Sequence, residues 1–226
     1  MSTARRAGQS STRWTVEVHD GSAAELHART VDEPAGRAVW WLTPVRPALV
    51  LGSSQRPDVV DEGALERNGV ELVRRHSGGG AVLLVPGQVS WVDVVLPAGD
   101  PLWDEDVGRA THWLGAAWER VAAAFGAEAE VHRGPMVRTP WSRLVCFAGL
   151  GPGEVQVGER KLVGISQRRT RGWARFQCAV HRRWDPAALV ELLRPPRPTV
   201  EELSDSVATL DVPDAELRAA FLDALP

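Results

Sequence analysis

Glu154-Val155-Gln156-Val157-Gly158-Glu159-Arg160-Lys161-Leu162-Val163-Gly164-Ile165-Ser166 reads as two short strands joined by a Gly-centred turn, a hairpin. Further strands are expected on both sides of it: Ala174 to Val180 downstream, and Thr15 to Val18, Arg37 to Leu42, Ala48 to Leu51, Val70 to Arg74, Ala81 to Val85 and Gln88 to Leu96 upstream. Strands outnumber crossover helices and several adjoin as hairpins. The fold class expected is therefore α+β, a mostly antiparallel mixed sheet flanked by helices, and not a doubly wound parallel sheet.

Helix signals fall between these strands. Asp20 is positioned to cap a helix running through Leu26 to Thr30, and Asp58 to Asn68 reads as a helix ended by Gly69. The longest helix is expected over Asp104 to Phe125, with Val107, Thr111, Leu114, Trp118 and Val121 on one face and Gly126 at its end. Asp185-Pro186 opens another, stopped by Pro195-Pro196 near Leu193. Thr199 and Glu202 have capping-box spacing, and a final helix is expected from about Asp214 to Leu225. No internal repeat is present.

The chain has 226 residues, 26 basic against 29 acidic, and a formal net charge of −3. Of the basic residues 25 are Arg and one is Lys, Lys161. A guanidinium is a planar fork whereas an ammonium is a compact point charge, so a lone Lys marks either chance or a position that Arg cannot fill. With 44% hydrophobic and 24% charged residues, disorder of the whole chain is excluded. Two Cys are too few for a disulfide scaffold and suit a reducing cytosol, so a cytoplasmic location is expected. Residues 1–13 are polar and Arg-bearing, which reads as a disordered tail and not a secretory signal or anchor. The most apolar stretch, Ala81 to Pro97, is broken by Pro86, Gly87 and Asp93, so no membrane span is expected. The acidic balance argues against nucleic-acid binding, and salt-dependent binding of DNA by Arg168 to Arg175 is the weakest of the functions considered.

Two segments carry chemistry. In Arg74-Arg75-His76-Ser77-Gly78-Gly79-Gly80-Ala81-Val82, three glycines let a backbone turn and approach a ligand closely, and two arginines supply charge for a carboxylate or phosphate. A plain flexible hairpin loop explains the glycines equally well, and the nucleotide P-loop spacing is absent. In the second, Lys161 begins a strand whose alternation points Lys161 and Val163 to one face, with Gly164 leaving room for a ligand. An ammonium there neutralises the oxygen of an activated acid. From Arg160 to Arg183 there are eight basic residues and no acidic ones, either a solvated face or a docking face for an acidic partner.

The Arg-Arg-x-Ser-Gly-Gly-Gly-Ala-Val loop paired with a downstream Gly158-x-x-Lys161-x-x-Gly164-x-Ser166-Gln167-Arg168 strand resembles the lipoate and octanoate protein ligase and transferase family, whose catalytic domain is shared with biotin protein ligases. Leu51-Gly52-Ser53-Ser54-Gln55-Arg56-Pro57 resembles the family's Gly-x-x-Gln strand end, and the likeness runs from about Val39 to Leu193. It implies a biotin/lipoate ligase-like catalytic domain over residues 14–226, C-terminal helices included. The implied activity attaches a lipoyl or octanoyl group to one lysine of a lipoyl domain or glycine-cleavage H protein.

Two chemistries are implied. A ligase makes an acyl adenylate from lipoate and ATP with magnesium; Arg74, Arg75, His76, Ser77, Gly78, Gly79, Gly80 and Ala81 then lie along acyl and phosphate groups with Gly164 and Ser166, and Lys161 at the carboxyl carbon. A transferase needs no cofactor and takes octanoyl from a thioester on an acyl carrier protein, and Cys146 resembles the nucleophile of members that form an acyl-enzyme; a nearby ammonium favours its thiolate.

The intact glycine loop and Lys161 tilt the reading toward the ligase. Three departures weigh against it: no Asn-Asp pair occurs in Trp141 to Gly153, Phe176-Gln177-Cys178-Ala179 stands where the family has His-Gly-Thr/Ser, and the accessory C-terminal domain of long ligases has no counterpart. A non-catalytic lipoyl-domain-binding relative, or one subunit of a two-component ligase, is the alternative from another class. Without the likeness, Cys146 reads as a small core residue and His112 as packing; Trp91 is a candidate wall of an acyl tunnel. Cys178-x-x-His181 with Cys146 lacks the paired spacing of a zinc site, so no metal site is expected.

Overall fold

The computed structural model describes residues 14–31 and 36–226; the tail expected over residues 1–13 lies outside the described residues. Among the described residues, ten strands form two sheets. The larger contains β1 (Thr15–Gly21), β2 (Ala38–Pro44), β6 (Val89–Pro97), β10 (Trp173–His181), β9 (Arg160–Arg169), β8 (Val155–Val157) and β7 (Glu130–Val131) in that spatial order. Only β1 and β2 run parallel in it. The smaller has β3 (Ala48–Leu51) between a parallel β4 (Glu71–Arg74) and an antiparallel β5 (Val82–Leu84). This is the α+β, mostly antiparallel mixed architecture that the strand pattern called for.

The strands work through two-sided burial. On β6, Val92, Val94 and Leu96 face one core while Trp91 and Val95 face another, so both faces of the large sheet are covered at its centre. Against the first face pack α3 (His112–Ala124) and α6 (Asp214–Asp223), with Leu114, Trp118 and Phe221 fully buried. Against the second face lies the small sheet, joined by α1 (Ala23–Ala28) through Ala23 and Leu26. The outer side of the small sheet is closed by α2 (Glu62–Asn68), α4 (Pro186–Glu191) and α5 (Val200–Ser204).

Three helix starts differ from expectation. Asp20 ends up inside β1, and Ser22 caps α1 in a capping box with Glu25. The helix expected from Asp104 begins only at His112. Asp104 and Asp106 accept backbone N–H groups and grip the Arg109 guanidinium at 3.0 to 3.1 Å, which makes turns and not a helical first turn, and Val107 is left exposed. In α2, Asp61 and not Asp58 caps the helix, and Gly69 ends it with φ 61°. The Asp185-Pro186 start and the Thr199–Glu202 capping box fall as read.

Candidate active site

The glycine loop sits between β4 and β5, and at Gly80, as at Gly52 on the end of β3, the glycine is there for close backbone approach. A Cβ at Gly80 would stand 2.6 Å from Val145 C and 2.7 Å from Cys146 N; one at Gly52 would stand 2.0 Å from Gly79 O. Only Gly79 of the three has positive φ, 100°. The loop is thus laid against the 145–146 segment: Ala81 N–H donates to Leu144 O at 2.8 Å and Cys146 N–H to Ala81 O at 3.0 Å. Gln55 ties the end of β3 to the same place, accepting Gly52 N–H at 2.9 Å and donating to Leu144 O at 3.0 Å.

The two arginines serve backbone carbonyls, Arg75 those of the loop and Arg74 those of the segment after β3. Arg75 is buried and donates to Gly78 O and Gly80 O at 2.8 Å each. Arg74 is exposed on β4 and caps the carbonyls of Gly52, Ser53 and Gln55. His76 is exposed, while Ser77 is buried, its hydroxyl 2.9 Å from that of Ser166 and donating to Gln177 Oε1 at 3.2 Å.

Lys161 is 3% exposed. Its ammonium is 2.7 Å from Glu154 Oε2, donates to Cys146 O at 2.9 Å and Gly149 O at 3.0 Å, and lies 3.9 Å from Cys146 Sγ. A register shift in the β8–β9 ladder breaks the simple alternation, so Lys161 shares its face with Gly164 while Val163 turns into the core. Gly164 leaves the space that Lys161 Cε and the Phe147 ring use, a Cβ there standing 3.2 Å from both. Burial pulls the Lys161 ammonium down, but the Cys146 sulfur and Glu154 carboxylate outweigh it and hold the group above the usual lysine range.

Glu154 is the residue that sequence reasoning passed over: it lies one position beyond Trp141 to Gly153, the stretch that lacks the Asn-Asp pair. It also accepts N–H bonds from Gly151 at 2.6 Å and Ile165 at 2.9 Å, so both of its carboxylate oxygens are engaged.

Two cavities meet at Cys146. One, between the two sheets, is walled mainly by apolar groups, among them Val50, Val82, Leu84, Trp91, Phe147 and Ala179, which puts Trp91 where a tunnel wall was expected. The other is a wider cleft that carries polar and charged groups, bounded by Gly78–Gly80, Val107–Gly108, Thr111, Glu154, Lys161 and Gln167. Cys146, Ile165 and Ser166 line both. The second cysteine, Cys178, is buried in the core, where burial pushes its thiol well up and makes it inert.

Within the described residues, no cluster of three or more His, Cys, Asp or Glu side chains is arranged to hold a metal ion. The basic run from Arg160 to Arg183 does not form one face. Lys161 and Arg175 are buried, Arg168, Arg169 and Arg171 cluster at the β9–β10 turn, and Arg160, Arg182 and Arg183 lie at the opposite end of the two strands.

Residues 23–218 match the lipoyl protein ligase A/B catalytic domain. Among curated protein sequences none matches. The fold is similar to a lipoate-protein ligase A bound with ATP, with TM-score 0.72 and 20% identity over 94% of this chain and 83% of that one. It is equally similar to a bi-partite lipoate protein ligase from Thermoplasma acidophilum, solved in work on that ligase and its E2 lipoyl domain, with TM-score 0.72 and 18% identity over 92% and 80%. A lipoate protein ligase from T. acidophilum with bound lipoic acid gives TM-score 0.66 and 20% identity over 83% and 70%.

Proposed function

The chain belongs to the lipoyl protein ligase A/B catalytic-domain family, and from that premise we propose that it transfers a lipoyl or octanoyl group to the lysine of a lipoyl-type acceptor domain through a thioester on Cys146. The observation that carries this reading is the place of Cys146, which lines both the apolar pocket and the cleft that carries Lys161 and Glu154, with its Sγ 3.9 Å from the buried ammonium. The apolar pocket suits the hydrocarbon of the acyl group and the cleft suits the carrier it arrives on. The Lys161 ammonium stands beside that sulfur, where it also faces the negative charge that builds on the acyl oxygen.

In the first step the Cys146 thiolate attacks the carbonyl carbon of an acyl thioester; the new carbon–sulfur bond forms as the carrier thiolate leaves. In the second, the neutral acceptor lysine amine attacks that carbonyl, an amide forms, one proton is released, and the Cys146 thiolate is regenerated. A nucleophilic thiol works only where it stays reduced, which favours a cytoplasmic setting. Residues 14–226 act in this reading as one catalytic domain. No described helix is long and apolar enough to cross a membrane.

A second reading, ATP-dependent ligation through an acyl adenylate, is favoured by the glycine loop lining the same cleft as Lys161; the similar ligase A has ATP bound and the T. acidophilum ligase has lipoic acid. In that reading the bi-partite relative supports a separate accessory subunit. Magnesium held by this chain fits poorly. The one carboxylate lining the cleft among the described residues, Glu154, is already bound to Lys161 and two backbone amides, so no step is assigned to the ion.

Incubation with an apo lipoyl domain and either octanoyl carrier protein or lipoate plus ATP, followed by the mass of the acceptor, separates the two. Thioester-dependent acylation that disappears in Cys146→Ser, with an acyl adduct on the wild-type enzyme, is the expected result. ATP-dependent acylation retained in Cys146→Ser would sink the covalent route.

A further inference from the structure

The strand segment Phe176-Gln177-Cys178-Ala179 forms part of the apolar pocket: Gln177, Cys178 and Ala179 all line it. Gln177 orders a chain of hydrogen bonds along the wall. Ser77 donates to its Oε1 at 3.2 Å, and its Nε2 donates to His27 Nδ1 at 3.3 Å and lies 3.4 Å from Asp93 Oδ2. Since Nδ1 of His27 accepts, a neutral ring carries its proton on Nε2. Burial, with Arg175 and Arg75 adding to it, lowers the His27 pKa to about 3, which keeps the ring neutral.

His27 is only 8% exposed, and its Nε2 has no hydrogen-bond partner among the described residues. The ring lies 4.3 Å from that of Trp91, on a part of the pocket wall that the cleft does not share. A buried donor without an acceptor is costly, and a ligand that supplies the acceptor removes that cost.

Resting on the reading of this pocket as the acyl site, we propose that His27 is a specificity residue whose Nε2–H donates to a dithiolane sulfur at the far end of a lipoyl chain, so that the pocket prefers lipoyl to a plain hydrocarbon chain. A sulfur suits the position better than an oxygen. It is a weak acceptor with little hydration to lose among Val50, Leu84 and Ala179, and it packs well against an aromatic ring such as Trp91. Gln177 is the positioning residue that fixes the His27 tautomer.

The test compares the binding of R-lipoate with that of 5-cyclopentylpentanoate, the same shape with carbons for sulfurs, by titration calorimetry on the wild-type chain. One neutral hydrogen bond corresponds to about a fivefold preference for lipoate. His27→Phe is expected to bring the ratio to about one, and Gln177→Leu, which releases the tautomer, to lower it in the same direction. Equal binding of the two acids by the wild type overturns the proposal, as does a ratio unchanged in both variants. Binding of neither acid removes the acyl-site reading itself, a different outcome from binding without preference. The wild-type comparison stands even where a variant does not fold.

Discussion

A guanidinium placed at Lys161 keeps the charge and loses the fit. The ammonium meets Glu154, Cys146 O and Gly149 O within 3.0 Å, in a space closed by Phe147 and made by the missing side chain of Gly164. Lys161→Arg is therefore expected to keep an ion pair with Glu154, to cost about 1–3 kcal/mol in crowding, and to lower acyl transfer on the order of a hundredfold or more, because the charge no longer sits against Sγ. Lys161→Met leaves the Glu154 carboxylate buried and unpaired, and costs more, about 3–5 kcal/mol. Chemical denaturation read beside a transfer assay checks the pair: wild-type turnover by the Arg variant would return the lone lysine to an accident of composition. This residue was legible in the sequence because its type is unique and its spacing from Gly164 and Ser166 is local. Glu154 was not, since its value lies in a fold-dependent meeting with Lys161 and with two backbone amides, and Glu-Val at a strand entry looks like any other.

The glycines of the loop separate cleanly at the level of the elements they join. Gly80 and Gly52 are places where β3, the loop and the Cys146 segment touch backbone to backbone, whereas a Cβ on Gly78 meets nothing within 4 Å and its φ is not positive. Gly78→Ala is expected to change stability by less than about 0.5 kcal/mol. Gly80→Ala and Gly52→Ala are expected to cost about 1–3 kcal/mol and to slow acylation of Cys146, because the segment carrying the thiol must shift. Melting temperatures of the three variants, with the rate of adduct formation, test this; equal behaviour of all three would mean that the loop is merely flexible. The hairpins and the α2 stop were readable for the opposite reason, being set by turn and cap residues within a few positions. The start of α3 was not: Thr111, at its N-cap, directs its hydroxyl to Pro152 O at 2.9 Å, a contact 41 residues away. The two-residue β7 carries no pattern to detect.

Charge is organised over the whole molecule differently from the way it is written along the chain. A run of eight basic residues is folded back on itself by a hairpin whose longer strand has ten residues, so its two exposed ends stand about 30 Å apart. That folding could not be seen in composition, because it depends on where the chain turns. The two ends also differ in their neighbours. At the β9–β10 turn, Gln167 bonds Val107 O at 2.6 Å, and both residues line the cleft that opens at Cys146, so Arg168 and Arg171 stand beyond its rim. At the far end, Arg160 and Arg183 are exposed and do not line that cleft. An acidic acceptor domain reaching Cys146 from the cleft therefore passes the first cluster and not the second. Arg168→Glu with Arg171→Glu is expected to raise the KM for such an acceptor about tenfold at low salt, with kcat little changed and the difference shrinking as ionic strength rises. Arg160→Glu with Arg183→Glu changes net charge by the same amount and is expected to leave KM near the wild-type value. Equal effects from both pairs would mean that only overall charge steers the partner, and no effect from either would place its approach on another face.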